Sequence, residues 1–392
     1  MRSWTTSAET RLLCWRRVRE FAVPPSMIEK ATARRKAGDW AGACAAARFD
    51  VDFDPLPEVL DDLRHLAPDL LRWHMPRVAP DGLLRPGVTV ALARYPGGLQ
   101  LVARTPPGWA EGGQRISLAL ARRSDRRYRL DLHRHLWDAR RSAELRSRPG
   151  MAVRSDIDRW SAEAEILLRA EGRGQRRVRV RAGARRLLLD VDAGTVTEGA
   201  APGVPVLPYA ATWVPPDVEL LRAGLIDPGR LHPLVAAALT PAPVPGTGPV
   251  GDDGVLVVDC RGATHRVAQR GGRLVPLDHD PDEIRREQLL GTLGGPPMPC
   301  LRAIDRAIRR PDTLPAIRSR LDHGDTAGAL AAVERLLGPG AQLREGPLRD
   351  ELTAALERRI DHGLFRAGLA GHCPLGRRRV IVRGHPRHCF PR

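Results

Sequence analysis

Apolar positions follow a helical period at the start of the chain and a period of two in its middle. Val59, Leu60, Leu63 and Leu66 form one stripe at helical spacing. Pro68 breaks or restarts that helix, and Leu70, Leu71 and Trp73 continue the apolar surface. Residues 1–80 therefore read as a helical N-terminal portion. From Val88 the alternation predicts a β-hairpin, residues 88–95 and 99–105 around a Pro96-Gly97-Gly98 turn. Further strands are expected at 116–121 and 128–132, then a helix over 136–146. Ser155 followed by Asp158 is a capping-box-like start for a helix ending near Gly172. A second hairpin pairs 177–181 with 187–192 across Ala182-Gly183. Residues 81–240 thus read as an Arg-rich α+β domain.

All eight Trp and all three Tyr lie at or before Trp213. Residues 241–253 are a Pro/Gly linker, too poor in apolar and donor groups to pack. Beyond it, 254–260, 264–269 and 273–277 suggest a short β-meander, and helices follow at 281–293, 300–309, 314–323, 325–337 and 347–361. Residues 254–370 form a mostly helical domain, and 371–392 a basic tail without a core of its own. The fold class is α+β throughout.

Two segments match at a constant offset of 286: Gly38, Asp39, Ala41, Gly42, Ala43, Ala45 and Ala46 against Gly324, Asp325, Ala327, Gly328, Ala329, Ala331 and Ala332. In each, Gly ends one helix, Asp caps the next, and small residues let the two approach closely. The pattern resembles the turn of a tetratricopeptide-like helical hairpin over about 20 residues. The copies are not tandem and lack that family's larger aromatic positions, so two similar hairpins arising by chance is the favoured reading, and no family follows.

Charge changes this picture locally. Of the 63 basic residues only Lys30 and Lys36 are lysine, a bias that looks genomic and strips meaning from the net charge of +17. Clustering survives the discount: residues 115–186 hold 21 arginines against 9 acidic residues. The chain from Arg366 onward adds 7 arginines and no carboxylate. On the strand 177–181, Arg177, Arg179 and Arg181 share one face, spaced about 7 Å apart, near the phosphate repeat of an extended nucleic-acid strand. Arg122, Arg123, Arg126, Arg127 and Arg129 surround a neighbouring strand, Arg185 and Arg186 follow the second hairpin turn, and Tyr128 and Trp137 are available for stacking. The competing reading is a solvated face whose arginines pair with Glu163, Glu165 and other nearby acids.

Motifs that specify a reaction are missing: there is no Gly-rich phosphate loop, dinucleotide fingerprint, GxSxG elbow or HExxH. Cys260 and Arg266 have the C-x5-R spacing of cysteine phosphatases, but a strand, not a helix, is expected to follow. Asp50, Asp52 and Asp54 alternate in a segment that more simply buries Phe49, Val51 and Phe53 than binds calcium. Among 278–283, Asp280 as cap, Pro281 and Glu283 describe a helix start better than a metal cluster containing His279. The tail residues His372, Cys373, His385, His388 and Cys389 hold zinc-ligand chemistry without a usual zinc spacing. His65, His74, His133, His135 and His232 read as structural.

No cofactor or metal is therefore expected. Six scattered cysteines without a CxxC pair, no signal-like run at the N-terminus and no 18-residue apolar stretch predict a cytoplasmic chain without a membrane partner. The expected function is non-catalytic binding of nucleic acid or another polyanion through the Arg-rich face. Protein interaction through the helical hairpins is the alternative, and an enzyme of unknown class the residual one.

Overall fold

The computed structural model describes residues 4–239 and 256–369, apart from 111, 153–154, 184, 200, 261, 271–272, 294–297, 310–312, 339 and 341. The chain forms two compact units that divide between Gly246 and Thr247. The expected linker 241–253 and the basic tail 371–392 lie outside the described residues.

The first unit opens with α1 (Trp4–Arg17), a π-helical turn Val18–Ala22, α2 (Pro25–Lys36) and α3 (Trp40–Ala46). Then come β1 (Phe49–Val51), α4 (Pro57–His65) and α5 (Pro68–His74). A small ribbon, β2 (Arg77–Val78) with β3 (Leu83–Leu84), precedes β4 (Thr89–Arg94), β5 (Gln100–Arg104) and β6 (Ile116–Ala121). These last three pair antiparallel, and β1 joins the far edge of β6 in parallel, giving the order β1-β6-β5-β4. Val59, Leu63, Leu66, Leu70, Leu71 and Trp73 pack with Val90, Leu92, Leu101, Ile116 and Leu118 in one core. The helical portion and the sheet thus share a hydrophobic interior, and residues 1–80 do not stand apart from 81–240.

Two expectations fail between β6 and α7. Residues 128–132 form no strand; an isolated bridge joins Arg129 to Ala91. The helix expected over 136–146 is replaced by 3-10 turns Arg134–Leu136 and Ser142–Ser147. Side-chain bonds compete with helical pairing here. Asp138 accepts from the Arg140 backbone N–H and from its guanidinium, fixing a local turn.

After α6 (Pro149–Ala152) comes α7 (Asp156–Ala170), where Ser155 accepts from the Asp158 N–H as the capping pattern requires. α7 covers an antiparallel meander of β7 (Arg177–Ala182), β8 (Arg185–Asp190) and β9 (Thr195–Glu198). Trp160, Ala164, Leu167 and Leu168 pack on Val178, Val180, Leu187 and Leu189. α8 (Pro216–Arg222) and α9 (Pro233–Leu239) return to the first core, where Leu220, Val235 and Ala238 are buried.

Buried polar groups tie these pieces together. Arg72, fully buried, donates to the carbonyls of Ala22, Ala47 and Gln114, joining three chain segments without a carboxylate. Arg19 forms a forked pair with Asp217, at 2.7 and 2.8 Å, and donates to the Trp73 carbonyl. His232 meets Asp69 at 2.9 Å, both buried.

The second unit begins with the meander β10 (Leu256–Cys260), β11 (Ala263–Arg270) and β12 (Arg273–Pro276). α10 (Pro281–Thr292), α11 (Pro299–Arg309), α12 (Leu314–Asp322), α13 (Thr326–Leu337) and α14 (Pro347–Arg366) follow. The apolar periodicity foresaw all eight elements. Ile317, Leu321, Ala329, Val333, Leu337 and Leu348 make the helical core. No helix among the described residues is long and apolar enough to cross a membrane.

Candidate polyanion-binding face

The strand period places the arginines of β7 as expected: Val178 and Val180 are buried against α7, and Arg177, Arg179 and Arg181 take the opposite face. Their surroundings differ, however. Arg177 lies across from Asp190 and bonds it at 3.2 Å. Arg179 is half-buried and donates to the Val204 carbonyl at 3.1 Å. Arg181 is exposed and sits directly across from Arg186, which is also exposed. Neither has a carboxylate partner among the described residues. Arg185 falls on the other face, opposite Ala182, and pairs with Glu198 at 2.8 Å.

The 122–129 segment is fastened beside this sheet. Pro205 and Leu207 bond the backbone of Arg179, and the Tyr209 N–H then donates to the Arg127 carbonyl at 2.7 Å. Arg127 lies against two rings, its guanidinium carbon 5.3 Å from the centre of Tyr128 and 5.2 Å from that of Tyr209. Burial, reinforced by the positive charges of Arg181 and Arg85, lowers the Arg127 pKa from its usual value. Its Nε is buried without a hydrogen-bond partner among the described residues. Arg122 reaches the Gly97 carbonyl at 3.3 Å, while Arg123 and Arg126 are exposed.

Arg129 is not on this surface. It is buried and bonded to both oxygens of Asp131 and to Glu171, which use the donor directions a phosphate would need. Stacking also fails at the expected rings. Trp137 is fully buried, with its Nε1 on the Leu130 carbonyl and Arg134 over its face, and Tyr128 is buried too. Both rings serve the hydrophobic core, so neither can receive a base.

The expected acidic partners take their places elsewhere. Glu163 is buried with His133 at 3.1 Å and Arg148 at 3.5 Å, and Glu165 lies 3.5 Å from Arg176. Trp213, His133, His135, Arg148, Arg159 and Glu163 line a small pocket, and His133 Nδ1 has no hydrogen-bond partner among the described residues. Burial lowers the pKa of His133, and that of His135 more strongly, favouring neutral rings. His74 Nδ1 bonds the Leu70 carbonyl and His65 the Asp61 carbonyl, which is structural work.

In the second unit, Arg266 is committed to Asp278 by its guanidinium and its backbone N–H, holding that carboxyl at about 2. β11 follows Cys260, so the C-x5-R segment has neither the arginine nor the helix terminus of a phosphate loop. Asp50 pairs with Arg115, and Phe49 is buried, as a short strand demands. The zinc-like residues of the tail lie outside the described residues. Among the described residues, one group has metal-ligand chemistry: Cys260, His265, His279 and Cys300. Sequence spacing concealed it, because the four are separated by 4, 13 and 20 residues and converge only when the meander meets α10 and α11.

No protein-family model, curated protein or solved structure matches this chain.

Proposed function

We propose that this protein binds nucleic acid or another polyanion without catalysis, through Arg122, Arg123, Arg126, Arg127, Arg181 and Arg186. One observation carries the reading: Arg181 and Arg186 face each other across β7 and β8, with Arg127 close enough to feel the Arg181 charge. Like charges directly opposite on a sheet are destabilising, and a stable fold gains nothing from keeping them. An anion between them would turn the repulsion into paired charge-assisted bonds. With Tyr128 and Trp137 in the core, the contacts are to phosphate or sulfate groups, and affinity comes from counterion release with little base readout.

Titration of the full chain with labelled single- and double-stranded DNA and RNA, and with heparin, over a range of salt tests this. Binding should weaken steeply as salt rises, and the double variant R181E/R186E should lower the log–log salt slope by about 2. Binding that ignores salt, or none at low salt, removes the reading.

A protein-interaction role is the second reading. It is favoured by the many arginines of 115–186 already matched to carboxylates, among them Arg129, Arg134, Arg140 and Arg176. It is also favoured by exposed Leu356 and Ile360, one turn apart on α14. Salt-insensitive behaviour would point to it.

A further inference from the structure

We propose that Cys260, His265, His279 and Cys300 form a structural zinc site that holds the meander of the second unit to its helices. Their sulfur and nitrogen atoms all lie within 4.8 Å of one another. A tetrahedral zinc with Zn–S of about 2.3 Å and Zn–N of about 2.0–2.1 Å sets ligand separations of roughly 3.3–3.8 Å, so closing this set on an ion takes movements of about an ångström.

Three ligands lie on regular elements and the fourth just before one. Cys260 ends β10, and His265 lies on β11 across from Val258, so the two share one face of the hairpin. His279 lies two residues before α10, and Cys300 is in the first turn of α11. Both sulfurs are buried, as is the His279 side chain. Arg266, next to His265 in the strand, points to the other face and is held by Asp278.

Two details argue for an ion rather than a chance cluster. His265 Nδ1 and His279 Nε2 point at each other at 2.7 Å, so in the absence of metal a single proton must occupy the position between two lone pairs. On its other side, His279 Nδ1 lies 3.1 Å from Glu283 Oε2, the carboxylate–histidine arrangement that fixes a ligand's tautomer. With Nδ1–H given to Glu283, Nε2 is left to coordinate. His265 then carries its proton on Nε2 and coordinates through Nδ1. The two thiols lose one proton each to solvent, and zinc with two thiolates is neutral.

The surrounding core is small. Among the described residues its buried members are Cys260, Val267, Met298 and Cys300, with Val258, Leu274, Leu301 and Ile304 partly buried against them. An ion bound by four side chains from both parts would add to this small apolar contact between the meander and the helices. Four protein ligands leave no open position, which makes the centre structural rather than catalytic.

The purified full chain should contain one zinc per molecule by elemental analysis. Cobalt replacing it should give the intense bands of a tetrahedral two-thiolate site. Mass-mapped alkylation of the wild-type chain should find Cys260 and Cys300 protected until a chelator is added, which requires no variant to fold. C260S/C300S should lose the metal and C373S/C389S should keep it. E283Q should weaken zinc binding about 10- to 100-fold while leaving its stoichiometry intact at saturating metal. A chain without stoichiometric metal, metal lost with the tail cysteines instead, or a Cys260–Cys300 disulfide in the native protein would overturn the proposal. None of these outcomes bears on the arginine face of the first unit.

Discussion

Arg19 and Asp217, 198 residues apart in sequence, meet through two parallel N–H···O bonds inside the first unit, where both side chains are buried. The Trp73 indole N–H adds a third donor to the same carboxylate at 3.1 Å, and the Arg19 guanidinium carbon lies 4.3 Å from a Trp73 ring centre. Despite the cost of burial, the charge of Arg19, the nearby His74 and the Arg19 hydrogen bonds hold the Asp217 carboxyl well below the usual carboxylate range.

Removing one partner leaves an uncompensated buried charge. D217A should destabilise the first unit by about 3–5 kcal/mol, whereas D217L combined with R19M should cost far less. Every Trp lies in this unit, so denaturant unfolding followed by tryptophan fluorescence reports it alone. Equal losses in the single and double variants would contradict the assignment.

Stability should fall with acid in two stages. Burial lowers the pKa of His74, His133 and His135, so these rings stay neutral in the fold while the unfolded chain takes up protons below its ordinary pKa of about 6.5. Their contribution is complete above that pH and is lost as pH falls, at up to about 1.4 kcal/mol per pH unit for each ring. Asp217 follows below about pH 4, where the unfolded carboxyl protonates first. Fluorescence-detected stability that is flat from pH 7 to 5 would refute the first stage.

The two similar hairpins carry a sharper test. Asp39 accepts from the Gly42 N–H at 2.7 Å and from Arg34 at 3.0 Å, and Asp325 accepts from Gly328 at 3.2 Å and Arg320 at 3.0 Å. Gly38 and Gly324, each at φ +78°, make the turns. A Cβ on Gly42 would stand 2.1 Å from Asp39 Oδ2, and one on Gly328 would stand 2.2 Å from Asp325 Oδ2. G42A should therefore displace the cap and destabilise by about 1 kcal/mol. In a D39A background the same change should stabilise by about 0.5–1 kcal/mol through helix propensity alone. Matching signs in the two backgrounds, measured by thermal unfolding, would exclude the conflict.

Arg181 and Arg186 should trade stability against binding. R186T removes the like-charge contact and should raise the stability of the first unit by up to about 0.5 kcal/mol while weakening heparin and nucleic-acid binding. Loss of stability in R186T would show that the pair has a favourable partner in the fold.

Much of the fold was legible because it is local. Period two foresaw β4 to β8, the Ser155 cap placed α7, and apolar spacing marked every element from β10 to α14. The matched Gly-Asp turns were visible as a repeat before their common geometry was. Charge placement was legible only in outline, since alternation decides which face of β7 an arginine takes but not what waits there. Tertiary structure supplied the carboxylates of Asp131, Glu171 and Asp190, sent Tyr128 and Trp137 into the core, and left Arg181 opposite Arg186. It also brought together Cys260, His265, His279 and Cys300. The sequence by itself determined periodicity, caps and the local excess of arginine, because each depends on neighbours a few positions away. Ion pairs and ligand sets join residues tens to hundreds of positions apart, so only the packed chain could decide which charges remain exposed and which donors converge.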